Sequence, residues 1–309
     1  LRNLLDRSLQ RLKASGRLDE IFNQWFPDED INFAELVPVY DLLYRDQRQV
    51  ADFPTDMPFP ANPVTARIEA GQPLRVAGLI AEGEDAPSSV RMINALNRAL
   101  VEEMARRWGV QLEVVPGAPQ NAVDLVVNGQ ADLAVGVSPV WDGADRVEYS
   151  APYLLHGDRL MVPANSDIDT FADFLGTGWW IGYFADDALD ADNIKKYAEI
   201  FNVSANINEP FAIQRESEAL YIMTVQHNVD AIYGDSLRLL ALQRAAETPE
   251  SVEILLGTPY GDDLPITFAV PRNDADFRSL VDFTLQDMAA DGTYQRLWDE
   301  HFSVGTPLP

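Results

Sequence analysis

From Val64 onward, short apolar runs alternate with longer amphipathic segments, and no other feature constrains the fold of these 309 residues as tightly. Leu74-Arg75-Val76-Ala77-Gly78-Leu79-Ile80 reads as a strand. Val90 to Trp108 carries Leu96, Leu100 and Met104 along one face and is closed by Gly109, which predicts a helix. Val110 to Val115 predicts the next strand, Asn121 to Asn128 a short helix capped by Gly129, and Ala131 to Val137 a further strand. A second set follows, with strands near Arg159–Pro163, Trp179–Phe184, Ala231–Tyr233 and Ile266–Val270. Strands that alternate with helices at this spacing build mostly parallel sheets covered by helices. Two such sets predict two α/β lobes with a cleft between them.

The segments before Val64 follow a different plan. Leu1, Leu4, Leu5, Leu9 and Leu12 fall at helical spacing, Gly16 stops that helix, and Leu18 to Phe26 starts a second with Ile21, Phe22 and Trp25. The end of the chain repeats the pattern. Leu280-Val281-Asp282-Phe283-Thr284-Leu285-Gln286 echoes Leu4-Leu5-Asp6-Arg7-Ser8-Leu9-Gln10, and Leu297-Trp298 answers Ile21-Phe22. Gly292 answers Gly16, and the offset of 276 residues between them is constant along the match. That period is domain-sized, far longer than a solenoid repeat. The two hairpins are either unrelated amphipathic pairs or copies, in which case residues 1–27 are the closing helices of a preceding similar domain. Residues 28–63 read as a linker: Asp28-Glu29-Asp30 opens it, and Pro54, Pro58, Pro60 and Pro63 exclude helix and central strand from its second half.

Charge narrows the partners. Lys and Arg number 23 against 49 Asp and Glu, a formal net charge of −26. A body so acidic repels phosphate backbones and anionic lipid, which argues against nucleic-acid and membrane-surface binding. The absence of cysteine excludes disulfides and cysteine-based zinc sites. No window holds the roughly 18 apolar residues of a spanning helix, and a chain opening Leu1-Arg2-Asn3 is expected to be processed or a fragment. His156, His227 and His301 lack metal-ligand spacing and are expected to be structural. Asp190-Ala191-Asp192-Asn193 begins like a calcium loop but has Ile194 at the third ligand position. No catalytic constellation and no cofactor is expected.

Several blocks, in order, resemble the bacterial extracellular solute-binding proteins of family 3. They are Thr65 to Val76, Asn128-Gly129-Gln130-Ala131-Asp132-Leu133, the run from Ser138 through Glu148-Tyr149-Ser150-Ala151-Pro152-Tyr153, Val229 to Asp235, and Ala289 to Tyr294 with Trp298. The resemblance implies a type II periplasmic-binding-protein fold, two α/β lobes joined by a two-strand hinge. Lobe 1 would be 64–155 and 259–309, and lobe 2 would be 156–258. It also implies hinge closure on a small ligand.

The residues that would carry binding follow from the same resemblance. Asp235 matches the strand-end carboxylate that meets a ligand ammonium, and it also directly precedes a helix that it could cap. Ser138 stands where the family places a hydroxyl or backbone contact. The family's arginine position falls on Gly143, so Arg146, one helical turn on, either replaces it or forms a surface ion pair with Asp142 or Asp145. The second carboxylate-binding position falls on Asp186 and Asp187, which would repel a ligand carboxylate or else simply favour a helix start. Pro87 is followed by Ser88-Ser89 where the family carries an aromatic. An amine or cationic ligand fits these acids better than an ordinary amino-acid clamp does, with Trp141 available for a cation–π contact. The expected ligand-binding set is therefore Asp235, Ser138, Trp141, Arg146, Asp186, Asp187, Gly136 and Glu84.

The resulting expectation is a non-enzymatic, exported receptor, either free in the periplasm or extracellular space or tethered to a membrane through other parts of the polypeptide. It would close on a small polar ligand and hand it to the membrane subunits of an ABC importer. The alternatives are a ligand-sensing ectodomain with tandem binding domains, a degenerate site, and an enzyme on the same fold of the dehydratase kind.

Overall fold

The computed structural model describes residues 8–9, 12–13, 15–27, 62–81, 86–140, 146–255 and 260–302, and the fold is given for these. The chain begins with α1 (Arg17–Trp25), α2 (Val64–Glu69), β1 (Leu74–Ala77), α3 (Ser88–Trp108) and β2 (Leu112–Val114). It continues through α4 (Ala122–Val127), β3 (Leu133–Val137), β4 (Val147–Tyr149), β5 (Leu154–Pro163) and β6 (Ile181–Phe184). Then come α5 (Ala188–Ile200), β7 (Phe211–Ile213), α6 (Ala219–Thr224), β8 (Ala231–Asp235) and α7 (Ser236–Ala245). The last elements are β9 (Val252–Ile254), β10 (Tyr260–Pro271), α8 (Ala275–Ala290) and α9 (Thr293–Phe302). Of the expected linker over 28–63, only Asn62 and Pro63 lie among the described residues.

Two compact units result. The first takes Leu1–Leu79, Val101–Leu154 and Pro265–Asp287, and the second takes Ile80–Leu100, Leu155–Leu264 and Met288–Pro309. The chain passes from one to the other after Leu79 and within α3, β5, β10 and α8. On α3, Met92, Leu96, Leu100 and Met104 recur every fourth residue and are completely buried, as an apolar stripe requires. The helix closes at Gly109, where Val110 N–H reaches back to the carbonyl of Ala105 at 3.0 Å.

In the first unit β1 lies between β2 and β3, parallel to both. β10 runs antiparallel to β3 and also pairs with β4. β1 is shorter than its apolar run. Gly78 takes φ 92°, and a Cβ there would stand 3.1 Å from the Val135 carbonyl oxygen, so the strand turns off after Ala77 while Leu79 and Ile80 stay buried. The starting ends of β1 and β3 are tied together by Asp132, whose side chain is 2% exposed. It accepts from Arg75 N at 2.9 Å and Arg75 Nη2 at 2.7 Å, and pairs with Arg67 as well. At that end lies a cavity of about 480 Å³ lined by Arg67, Arg75, Asp132, Arg146, Arg272 and Asp274, among others.

The second unit's sheet runs β9-β5-β8-β6-β7, with β6 parallel to β7 and β8, and β5 antiparallel to β8 and β9. Both faces are covered. Leu160, Val162, Ala231 and Tyr233 belong to one core cluster with Phe171, Phe174 and Ile194. Met161 and Ile232, the intervening residues, belong to another with Phe184, Met223 and Leu239. Burial on both faces is why Leu160-Met161-Val162 of β5 and Ala231-Ile232-Tyr233 of β8 read as continuous apolar runs rather than as alternating ones.

Candidate ligand-binding site

Three strands of the second unit carry acids to one end of its sheet. β6 runs into Asp186 and Asp187, β8 ends at Asp235, and antiparallel β5 places Asp158 directly opposite Asp235. Open α/β sheets bind ligands at the carboxyl ends of their parallel strands, and β6 and β8 both point there. Asp235 does two things at once. Its Oδ1 accepts from Leu237 N–H at 2.9 Å and caps α7, while its Oδ2 lies 2.6 Å from His156 Nδ1. Both the capping role and the strand-end position read from the sequence are therefore occupied by one side chain.

Asp158 and Asp190 complete the group. Tyr233 Oη donates to Asp158 Oδ2 at 2.7 Å, and Asn193 Nδ2 approaches the same oxygen at 3.4 Å. Burial holds the Tyr233 phenol far above its usual range, so it stays a donor. Asp190, in the first turn of α5, is 4% exposed, and among the described residues no hydrogen bond reaches its carboxyl. A Cβ at position 234 would stand 3.2 Å from the Phe184 ring and 3.8 Å from Asp190 Oδ2, so Gly234 lets the ring and the acid pack close against β8. Burial, with Asp187, Asp158 and Asp235 nearby, pushes the Asp190 carboxyl up to about 8, the Arg238 guanidinium opposing only in part. Asp158 is raised too, first by burial, although the Tyr233 hydroxyl works against the shift. The cluster is thus rich in negative charge and holds a proton at neutral pH.

Asp186 stands apart electrically. Arg238 donates to it at 2.9 Å and to Glu216 Oε2 at 3.0 Å, with the guanidinium 3.7 Å above the Phe184 ring. The arginine holds the Asp186 carboxyl below its ordinary range. Asp187 is exposed, makes no side-chain cap to α5, and acts on its neighbours through charge. The described residues contain no group of three or more His, Asp or Glu side chains set to hold a metal ion.

The other expected residues are distributed as follows. Gly136 and Ser138 sit in the first unit at the carboxyl end of β3, both exposed, and Gly136 N–H donates to Tyr153 Oη at 2.9 Å. Arg146 belongs to the opposite end of the same sheet, where it lines the arginine-rich cavity and pairs with Asp124. Asp142 and Asp145, the sequence neighbours expected as its ion-pair partners, lie outside the described residues. Trp141 and Glu84 lie outside the described residues. Asp158, Asp190 and His156 went unassigned to the site in the sequence. The signal that could have found them is the strand pairing itself, since Asp158 faces Asp235 only once β5 and β8 are set antiparallel.

Solved structures share this fold. A polar amino acid ABC uptake transporter substrate-binding protein from Streptococcus thermophilus aligns with a TM-score of 0.63 at 14% identity, over 77% of this chain and 88% of its own. The L-cystine solute receptor of Neisseria gonorrhoeae, in its unliganded open conformation, gives 0.59 at 18% identity over 80% and 99%. An ancestral cationic amino acid solute-binding protein gives 0.54 at 19% identity over 78% and 99%. The fold is therefore that of the type II periplasmic binding proteins. No curated protein sequence matches the chain. Residues 96–304, more than half of the chain, match the family described as bacterial extracellular solute-binding proteins, family 3, and the chain belongs to that family.

Proposed function

We propose that this chain is a receptor for a small cationic or amine-bearing solute, held by the carboxylate cluster of the second unit, and that it is not an enzyme. The observation that carries the reading is Asp190, a buried carboxyl with no hydrogen-bond partner among the described residues, set among Asp158, Asp187 and Asp235. A buried carboxyl in that position is uncompensated until it takes a proton or a cation. A ligand ammonium or guanidinium supplies the missing charge, and its own desolvation is repaid only by such carboxylates. The same acids oppose a ligand carboxylate, which sets this site apart from an ordinary amino-acid clamp. The protein would act outside the cytoplasm and pass its solute to the membrane subunits of an importer, as the Streptococcus thermophilus relative serves an ABC uptake transporter. A sensor ectodomain would use the same binding step with a different partner.

Thermal-shift measurements with arginine, agmatine and glutamate test the reading. Agmatine keeps the guanidinium and the amine but lacks the carboxylate. Ligand at 100 times its dissociation constant adds roughly 2.7 kcal/mol of stability. Stabilisation by agmatine equal to or above that by arginine, with none by glutamate, is the expected result. Stabilisation by glutamate alone would overturn the cationic site.

A further inference from the structure

We infer that residues 1–27 are the closing segment of a second solute-binding module, and that the apolar face of α1, with Leu9 before it, is built to seat on that module. The inference rests on a match, position by position, between this segment and the one that ends the chain. It does not depend on which ligand the carboxylate cluster holds.

Gly16 and Gly292, 276 residues apart, take φ 76° and 80°, the left-handed conformation that glycine adopts without strain. Gly16 N–H reaches the Lys13 carbonyl at 2.9 Å and Gly292 N–H the Ala289 carbonyl at 3.4 Å. Glu20 N–H returns to Gly16 at 3.1 Å and Arg296 N–H to Gly292 at 3.0 Å. The aromatic pair recurs as well: Phe22 and Phe26 have centroids 5.1 Å apart, and Trp298 and Phe302 4.6 Å apart. Backbone turn, return bond and ring pair therefore all share one offset. The glycine turn also ends other helices of this chain, at Gly109 and Gly129, so the weight of the match falls on the shared register of the apolar residues and of the ring pair.

Burial separates the copies. At the chain's end, Leu285 is 7% exposed and Phe302 2%, whereas their counterparts Leu9 and Phe26 are 45% and 53% exposed. Leu297 is buried, but no residue of α1 is. Trp25, where α9 has His301, is 72% exposed, while the His301 carbonyl accepts from the Arg244 guanidinium of α7. The closing hairpin of this chain thus shows what covers such a face: a solute-binding fold of the same kind. A second copy of this chain offers no seat, because its own Leu297 and Phe302 already fill it. The fitting occupant is a family module whose closing segment is residues 1–27, joined to this one through the residues that follow.

Paired substitutions in the 309-residue chain, and the polypeptide as its source cells make it, test this. Phe26→Asp is expected to leave the melting temperature within about 2 °C and the chain monomeric in light scattering. Phe302→Asp or the milder Leu297→Ala is expected to lower it by several times that. A loss from Phe26→Asp matching that from Phe302→Asp would place the segment on its own chain and overturn the inference. So would a concentration-dependent dimer that Phe26→Asp abolishes. Peptide mapping of the polypeptide captured with an antibody to residues 64–302 is expected to find family 3 sequence immediately before Leu1. In that longer chain, Phe26→Asp should lower the melting of the added module alone. Any other sequence before Leu1 would overturn the inference.

Discussion

Asp190 concentrates the physics of this protein in one side chain. Its carboxyl is buried without a partner and is pushed up to about 8, above the range of an unfolded aspartate. Stabilisation from such a group is fully present below the unfolded value of about 4 and is lost as pH rises through about 8. The unliganded protein should therefore melt at progressively lower temperature between about pH 4 and pH 8 through this residue. Asp190→Asn should flatten that slope, with little change at pH 4 and a gain at pH 8.5, read from melting curves across the range. An unchanged slope would contradict the assignment. Tyr233 supplies a second test. Tyr233→Phe removes the shorter donor to Asp158 Oδ2 and leaves only the longer approach of Asn193 Nδ2, and the loss of such a hydrogen bond costs about 1 kcal/mol. Chemical denaturation near neutral pH measures that cost. Of these residues the sequence exposes only Asp235, Asp186 and Asp187, because a strand–helix junction is visible locally. Asp158 and Asp190 join the group through cross-strand register and a helix turn, which no local pattern encodes.

At the level of elements, the long apolar stripe of α3 and the run that forms β5 were legible because burial on one face or on both leaves a periodic trace. β4, β7 and β9, three residues each, leave none and are fixed by the partners they meet. β1 ends early for a reason that only tertiary contact supplies, the approach of the Val135 carbonyl to Gly78. The tie between β1 and β3 gives the clearest element-scale test. Asp132 answers two arginines while almost fully buried, so Asp132→Ala leaves Arg67 with Gln72 and Arg75 with the Gly129 carbonyl but neither with its carboxylate. Removing one side of a buried ion pair costs about 3–5 kcal/mol. Asp132→Asn should recover part of this by keeping the hydrogen bond from Arg75 N–H. Equal stability of the parent and Asp132→Ala in urea would show that the tie contributes nothing.

The whole molecule carries −26 of formal charge, yet its arginines are not spread evenly. Four of them line one cavity at the strand starts of the first unit, where Asp132 and Asp274 offset part of their charge, and Arg146 is drawn there to pair with Asp124. The carboxylates of the second unit gather at strand ends, with Arg238 engaged by Asp186 and Glu216. The proposed cationic ligand would draw on the second unit's acids, while in the first unit Arg146 is engaged by Asp124. Charge on this scale also attracts cationic solutes from a distance, so the association rate of a cationic ligand should fall as salt rises, while a neutral amino acid should show no such dependence. Stopped-flow binding at two ionic strengths reads the difference.

Calorimetric titration of agmatine at pH 6.0 and pH 8.5, in buffers of different ionisation enthalpy, tests the cationic site most directly. A ligand cation that ionises Asp190 must release its proton. Affinity should therefore rise about tenfold or more between the two pH values, with a proton-release heat that Asp190→Asn abolishes. Agmatine that binds equally at both pH values without releasing a proton, or does not bind at all where glutamate does, would contradict the site.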